Sequence, residues 1–510
     1  MKLRTRFSIS FFLGFVFCWA ANAQITLPKI LTSHMVVQRD APVHVWGLAA
    51  PNEQVSVTFR GETGAATAGE LGRWSVYLKP GAAGGPFTLT VQGTETGGQP
   101  QTITLDDVLV GDVWVASGQS NMGFVLHDAA TAAEDLPKAG IQDLRLLNVK
   151  QTASLFPQDD LPVVGDGWAI SSPETAEYFS AVAWYFAREI EQREHVPVGI
   201  INSSWGGTPV DAWTRIGAIG QDASLMPLFI SWGKMIEDQP DALLRAKIRQ
   251  RAIDDAKAQG KPVPNSPWTP DLASWGPGML WNGMIAPLTP AAIRGAIWYQ
   301  GESNASPERA PIYGRIFEDM IEDWRNQWGV GEFPFLYVQI ANWNAGPGDG
   351  WPQLREQQRK TLELHNTGMA VTIDIGNPAN IHPTDKLDVG LRMARWARVL
   401  TYGEKLEVSG PLFREAVPEG PAIRAYFDHA KGLNAKGGAP TSFEVAGADG
   451  KWSAATATID GDTIVASSPD VAKPTQVRYG WASSPQCNLF NSDELPASPF
   501  TSAQWPAPRN

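Results

Sequence analysis

Val113-Trp114-Val115-Ala116-Ser117-Gly118-Gln119-Ser120-Asn121-Met122 is the stretch on which the fold turns. The apolar run from Val108 to Val115 has no polar/apolar alternation, as expected of a strand covered on both faces. It stops at a glycine and delivers a serine. Further along, Val198 to Ile201, Gly295 to Tyr299, Phe335 to Ile340 and Met369 to Ile373 read as strands of the same kind. Between them Val182, Phe186 and Ile190, then Ile316, Met320 and Trp324, recur at helical spacing, the first set in a helix beginning near Ser180. Strands alternating with helices predict an α/β unit with a parallel sheet between helical layers, over residues 106–405.

Outside that unit the period changes to two. Val55, Val57 and Phe59, then Trp74, Val76 and Leu78, then Phe87, Leu89 and Val91 alternate with polar residues. Residues 24–105 therefore read as a β-sandwich-like region. Residues 406–510 read as a second β-rich region, with Val477, Tyr479 and Trp481 alternating with Arg478 and Gly480. Asp241 to Gln259 is a charged helix with Leu244, Ile248 and Ala252 at helical spacing, ended by Gly260 and Pro262, and reads as part of an insertion near 215–277.

Residues 1–23 read as a signal peptide. Lys2, Arg4 and Arg6 precede an apolar run from Phe7 to Ala20, too short to span a bilayer, and Ala21-Asn22-Ala23 fits the cleavage pattern. The chain is expected to be exported, periplasmic or secreted. Cys18 leaves with the leader, and Cys487 alone makes no internal disulfide.

The 510 residues carry a formal charge of −12. That balance argues against nucleic acid and anionic membrane surfaces, which need a basic footprint. Histidines and acids show no metal-ligand spacing, and no phosphate-binding glycine motif is present. No metal and no cofactor are expected.

Three loops follow strands, where a doubly wound sheet places its ligands. The first, Ser117-Gly118-Gln119-Ser120-Asn121-Met122, can present the Ser120 hydroxyl at the sheet edge, or simply make a turn. The second, Ser204-Trp205-Gly206-Gly207-Thr208-Pro209, has glycines that let a backbone N–H approach an oxyanion, or simply make a tight turn. The third, Gln300-Gly301-Glu302-Ser303-Asn304, offers amide donors. Its Glu302 suits a general base, or a carboxylate holding neighbouring loops. A fourth element, Asn380-Ile381-His382-Pro383, supplies the residue type that most often serves a serine nucleophile as base.

Taken together these blocks resemble the SGNH (GDSL-like) hydrolases, in the form carried by the sialate O-acetylesterase-like carbohydrate esterases. The resemblance rests on Gly111 to Met122, on Gly206 to Trp213, on Trp281 to Leu288 with Ile297 to Asn304, and on Ile381-His382-Pro383 with Lys386. Met35 to Asp40 and Val477 to Trp481 resemble the family's flanking β regions. It implies an α/β/α sandwich flanked by β-sandwich or jelly-roll-like regions. It also implies Ser120 as nucleophile and His382 as base. The oxyanion donors would be the backbone of Ser120, the backbone of Gly206 or Gly207, and a side chain, Asn304 or Gln300. The family's acid commonly lies three residues before the histidine. Here Ala379 stands there, followed by Asn380, so a carboxylate from elsewhere, Asp374 first and Asp385 second, or a Ser–His dyad, is expected.

The implied activity is an exported carbohydrate O-acetylesterase. It would act on acetylated oligosaccharides, either hemicellulose such as xyloglucan or xylan, or O-acetylated sialic acid. The missing acid motivates the alternative of a catalytically weak glycan-binding protein on the same scaffold.

Overall fold

The computed structural model describes residues 24–94, 101–264, 269–346 and 348–504. The expected leader lies outside them. The central sheet is built on β1 (Thr102–Gly118), β2 (Ile141–Asn148), β3 (Ala169–Ser171), β4 (Val198–Ser204), β5 (Gly295–Tyr299), β6 (Phe335–Val338) and β7 (Thr367–Ala370). Their order is β7-β6-β5-β1-β4-β2-β3. All neighbours are parallel except the edge pair β2–β3. Apolar strands covered on both faces explain the unbroken hydrophobic runs, and all five residues of β5 are buried.

Helices close both faces. In α1 (Ala181–Glu194) Val182, Phe186 and Ile190 are fully buried, and the Ser180 hydroxyl caps the helix by accepting from the Ala183 N–H at 3.1 Å. In α3 (Ala310–Trp328) Ile316, Met320 and Trp324 are likewise fully buried. A last helix, α4 (Leu387–Leu400), follows His382.

Two expectations change. The boundary at 105/106 falls inside β1. Its first half pairs antiparallel with Gly84–Gly93 of the N-terminal region, and its second half lies at the centre of the parallel sheet. One 17-residue strand thus carries both regions, because its apolar run fills both cores without a turn signal. The charged helix is also longer than expected: α2 spans Met226–Ala258 with Pro240 inside it. Proline removes one hydrogen bond and usually stops a helix. Here the flanking turns face solvent, where water can satisfy the freed carbonyl. Leu244 and Ile248, 57% and 58% exposed, form no core face.

The C-terminal region has its own two four-stranded sheets and its own core around Ile423, Val445, Val477, Tyr479 and Phe500. Among the described residues it shares no sheet with the N-terminal strands. Arg355, fully buried, joins it to the α/β unit by donating to the carbonyls of Ala482 and Ser483 at 2.8 and 2.9 Å. Among the described residues no helix is long and apolar enough to cross a membrane.

Candidate active site

Register brings the loops together. Gly118 of β1 pairs with Ser204 of β4 on one side and Tyr299 of β5 on the other. The three central strands therefore end level at their carboxyl edge, and the loops leaving them converge. Two hydrogen bonds tie these exits. The Trp205 N–H donates to the Gly118 carbonyl and the Gln119 N–H to the Tyr299 carbonyl, both at 3.0 Å. Gly118 has φ +130°, and a Cβ there would lie 2.2 Å from the Tyr299 oxygen. Only glycine fits so close a strand end. Ser120 then opens a single helical turn, which lifts its hydroxyl off the sheet edge.

His382 reaches that hydroxyl from the far side. Its Nε2 lies 2.7 Å from Ser120 Oγ across 262 residues of sequence. With the proton on Nδ1, Nε2 accepts from the serine hydroxyl. The Asn380 side chain fixes the loop by accepting from the His382 backbone N–H at 2.9 Å. Burial, and then the charge of Lys386, hold the imidazole below its usual pKa. The ring is therefore neutral near pH 7 and able to take a proton.

Gly206 packs onto the serine; a Cβ there would stand 3.2 Å from Ser120 Cβ. Among the described residues the N–H groups of Ser120 and Gly206 have no protein acceptor. Gly207 takes φ +74° and turns the chain, its carbonyl accepting from Trp275 Nε1 at 2.7 Å. Asn304, 1% exposed, accepts from the Val210 N–H and from Gln300 Nε2 through its Oδ1, at 3.0 and 2.7 Å. That pins the amide's orientation and leaves Nδ2 without a protein partner among the described residues. The place held for Gln300 as an oxyanion donor is corrected. Both of its amide hydrogens are spent, on the Thr208 carbonyl and Asn304 Oδ1, and its Oε1 meets the Tyr313 hydroxyl at 3.2 Å.

The candidate acids do not reach the histidine. Asp374 is held by Arg392 in a two-pronged pair at 2.6 and 2.7 Å, because Arg392 of α4 points back to the strand end from which Asp374 emerges. Asp385 caps the start of α4 by accepting from the Asp388 N–H at 3.1 Å. Glu302 accepts from Asn121 Nδ2 at 2.6 Å and touches neither Ser120 nor His382, which corrects its reading as a general base. Among the described residues His382 Nδ1 has no partner.

Two side chains the sequence reading left without a role stand out. Asn121 and Lys386 are 1% and 0% exposed, and Lys386 Nζ donates to Asn121 Oδ1 at 2.6 Å. The sequence signal was slight: Asn121 follows the nucleophile, and Lys386 lies four residues beyond His382, marked only as part of the family resemblance. Burial drives it down to about 7, against the opposing pull of Glu302 and Asp385. Burial also raises Glu302 above the ordinary carboxylate range.

A cleft of about 1600 Å³ lies between the N-terminal strands and the loops at 157–160 and 286–290. Neither Ser120 nor His382 lines it, so volume alone does not locate the chemistry.

Residues 263–398 match the family described as carbohydrate esterase, sialic acid-specific acetylesterase. The sialate O-acetylesterase of Pongo abelii is 31% identical over 94% of each chain. That of Mus musculus is 30% identical over 94% of this chain and 95% of its own. A crystal structure described as a novel carbohydrate acetylesterase from Xanthomonas citri superposes with a TM-score of 0.80 at 39% identity, covering 94% of this chain and all of the other. These relatives are esterases, which sets aside the expectation of a scaffold that only binds glycans. With likeness running through the flanking β regions as well as the catalytic blocks, the chain belongs to the sialate O-acetylesterase family of carbohydrate esterases.

Proposed function

We propose that this esterase removes acetyl groups from acetylated oligosaccharides through a serine nucleophile and an acetyl-enzyme. Ser120 Oγ attacks the acetyl carbonyl carbon while its proton passes to His382 Nε2. The carbonyl oxygen, now negative, is received by the N–H groups of Ser120 and Gly206 and by Asn304 Nδ2. The bond to the sugar oxygen breaks, and that oxygen takes the proton from His382. Water, deprotonated by the same imidazole, then attacks acetyl-Ser120, releasing acetate and the serine. The 2.7 Å contact between His382 Nε2 and Ser120 Oγ carries this reading.

Hemicellulose fragments such as xyloglucan or xylan, and O-acetylated sialic acid, are the substrates proposed. The likeness to a carbohydrate acetylesterase and to sialate O-acetylesterases supports that class. Export through a leader cleaved near Ala23 would bring the enzyme to such glycans, and rests on the basic, apolar and small-residue segments of residues 1–23. The test is acetate release from a chromogenic acetyl ester by wild type and Ser120→Ala. The variant should fold and lose at least ~10⁴-fold in kcat. Retention of more than about a tenth of the wild-type rate contradicts the assignment. Mass spectrometry of acetylated oligosaccharides before and after treatment names the sugar and the position.

A further inference from the structure

Beside the Ser120–His382 pair lies a polar assembly that the reaction as written does not use. The Asn121 amide is its junction. Its Nδ2 donates to Glu302 Oε1 at 2.6 Å and to the Ile381 carbonyl at 3.0 Å, and its Oδ1 accepts from Lys386 Nζ. Asn121 is the neighbour of the nucleophile, and Ile381 the neighbour of the base. One side chain thus bolts the two catalytic loops together, 260 residues apart in sequence.

The assembly costs the fold energy. The Lys386 ammonium is fully enclosed, 4.8 Å from the Phe124 ring centre and 5.3 Å from that of Tyr299, with no carboxylate in direct contact among the described residues. Glu302 Oε2 is buried without a hydrogen-bond partner among the described residues. Buried charge and unpaired acceptors are expensive and are tolerated chiefly at working sites. Here they surround the Asn121 junction between the two catalytic loops, in a site where, among the described residues, no acid contacts the imidazole.

We propose that Glu302, Asn121 and Lys386 form a positioning clamp that seats His382 on Ser120, taking over the orienting work that a carboxylate on the ring does in a Ser–His–Asp triad. The proposal rests on the reading of Ser120 as nucleophile and His382 as base. The clamp acts through the backbone. Asn121 holds the carbonyl of Ile381 and Asn380 holds the N–H of His382, so the main chain entering the histidine is fixed at both ends. Neither Lys386 nor Glu302 touches the reacting atoms.

The clamp also bears on the field at the base through its lysine. Lys386 faces His382 and lowers its proton affinity. Glu302 from the loop after β5, and Asp385 from the loop before α4, oppose the lysine. Removing the lysine's charge should therefore raise the His382 pKa.

The experiment compares Asn121→Ala, Lys386→Met and Glu302→Gln with wild type and Ser120→Ala. It reads kcat and KM on a chromogenic acetyl ester from pH 5 to 9, with circular dichroism to confirm folding. Asn121→Ala and Lys386→Met should lose about tenfold or more in kcat with KM within about threefold. The acid limb of kcat/KM should move up by about half a pH unit in Lys386→Met, and Glu302→Gln, which keeps an acceptor for Asn121, should lose less kcat than Asn121→Ala. A purely structural role would lower activity without moving the limb in Lys386→Met, and that result overturns the clamp. So does retention of more than about a third of kcat in Asn121→Ala and Lys386→Met. If Lys386→Met does not fold, Asn121→Ala decides: a kcat loss with KM held supports the clamp, and retention of more than about a third of kcat overturns it. If Ser120→Ala itself stays active, the nucleophile assignment fails instead, so the two failures are told apart.

Discussion

Replacing Asp374 by asparagine separates a Ser–His dyad from a triad with a displaced acid. Asp374 lies at the same sheet edge as the catalytic loops, eight residues before His382. Its two oxygens are taken by Arg392 at 2.6 and 2.7 Å, and both side chains are largely buried, 16% and 9% exposed. Breaking a buried pair from one side costs about 3–5 kcal/mol. The guanidinium would keep the Val371 carbonyl at 2.7 Å and Asp388 at 3.3 Å, and the asparagine oxygen can still accept once. We therefore expect somewhat less, about 2–3 kcal/mol, which in an α/β unit of roughly 300 residues is a fall of about 3–5 °C in Tm. Catalysis should be little affected: less than tenfold in kcat at 25 °C, against ~10⁴-fold for asparagine at the acid of a working triad. Thermal melts and acetate release on the same preparation read both quantities. A kcat loss of ~10³-fold or more in folded protein would identify Asp374 as the acid and sink the dyad. An unchanged Tm would refute the ion-pair argument.

Asn304→Ala removes the side-chain oxyanion donor and should cost about 10²-fold in kcat, and a loss below about threefold returns the role to the backbone alone. Gly118→Ala forces a Cβ to within 2.2 Å of the Tyr299 oxygen at φ +130°, so expression should fall or Tm drop sharply; a variant as stable as wild type contradicts the strand-end geometry. The base must be neutral to act, so activity falls as pH drops through the His382 pKa. Burial and Lys386 depress that value, so the acid limb of kcat/KM should lie below about 6.5, and a limb above 7 contradicts this electrostatic account.

Much of the fold could be read along the chain because it depends on local pattern. Period-two stretches became Gln54–Phe59 and Arg73–Leu78, with Val55, Val57, Trp74, Val76 and Leu78 buried as the alternation requires. The Ser180 cap and the i, i+4 positions of α1 and α3 were equally plain. Local signals failed where tertiary or solvent context overrode them. Pro240 does not stop α2, and β1 crosses an expected domain boundary without a turn.

At the site, sequence supplied candidates and chemistry but not partnership. Ser120, Gly206, Asn304 and His382 stood out from strand–loop position and from family resemblance. Gln300 and Asn304 could not be told apart, since both are amides in one loop. Folding separates them, saturating one amide and leaving the other's nitrogen free. Asp374 looked suited to be an acid because it ends a strand, until Arg392, 18 residues away, was seen to claim it.

What the sequence determined by itself was the layering, the strand ends and the identity of a serine and a histidine fit for acyl transfer, because backbone periodicity and side-chain chemistry are properties of short segments. What only the tertiary structure decided was which polar groups are satisfied and by whom. The 2.7 Å contact across 262 residues, the clamp at Asn121 and the absence of a carboxylate at His382 all arise from parallel strands ending in register. That register follows from burying both faces of the sheet at once, a condition no single segment contains.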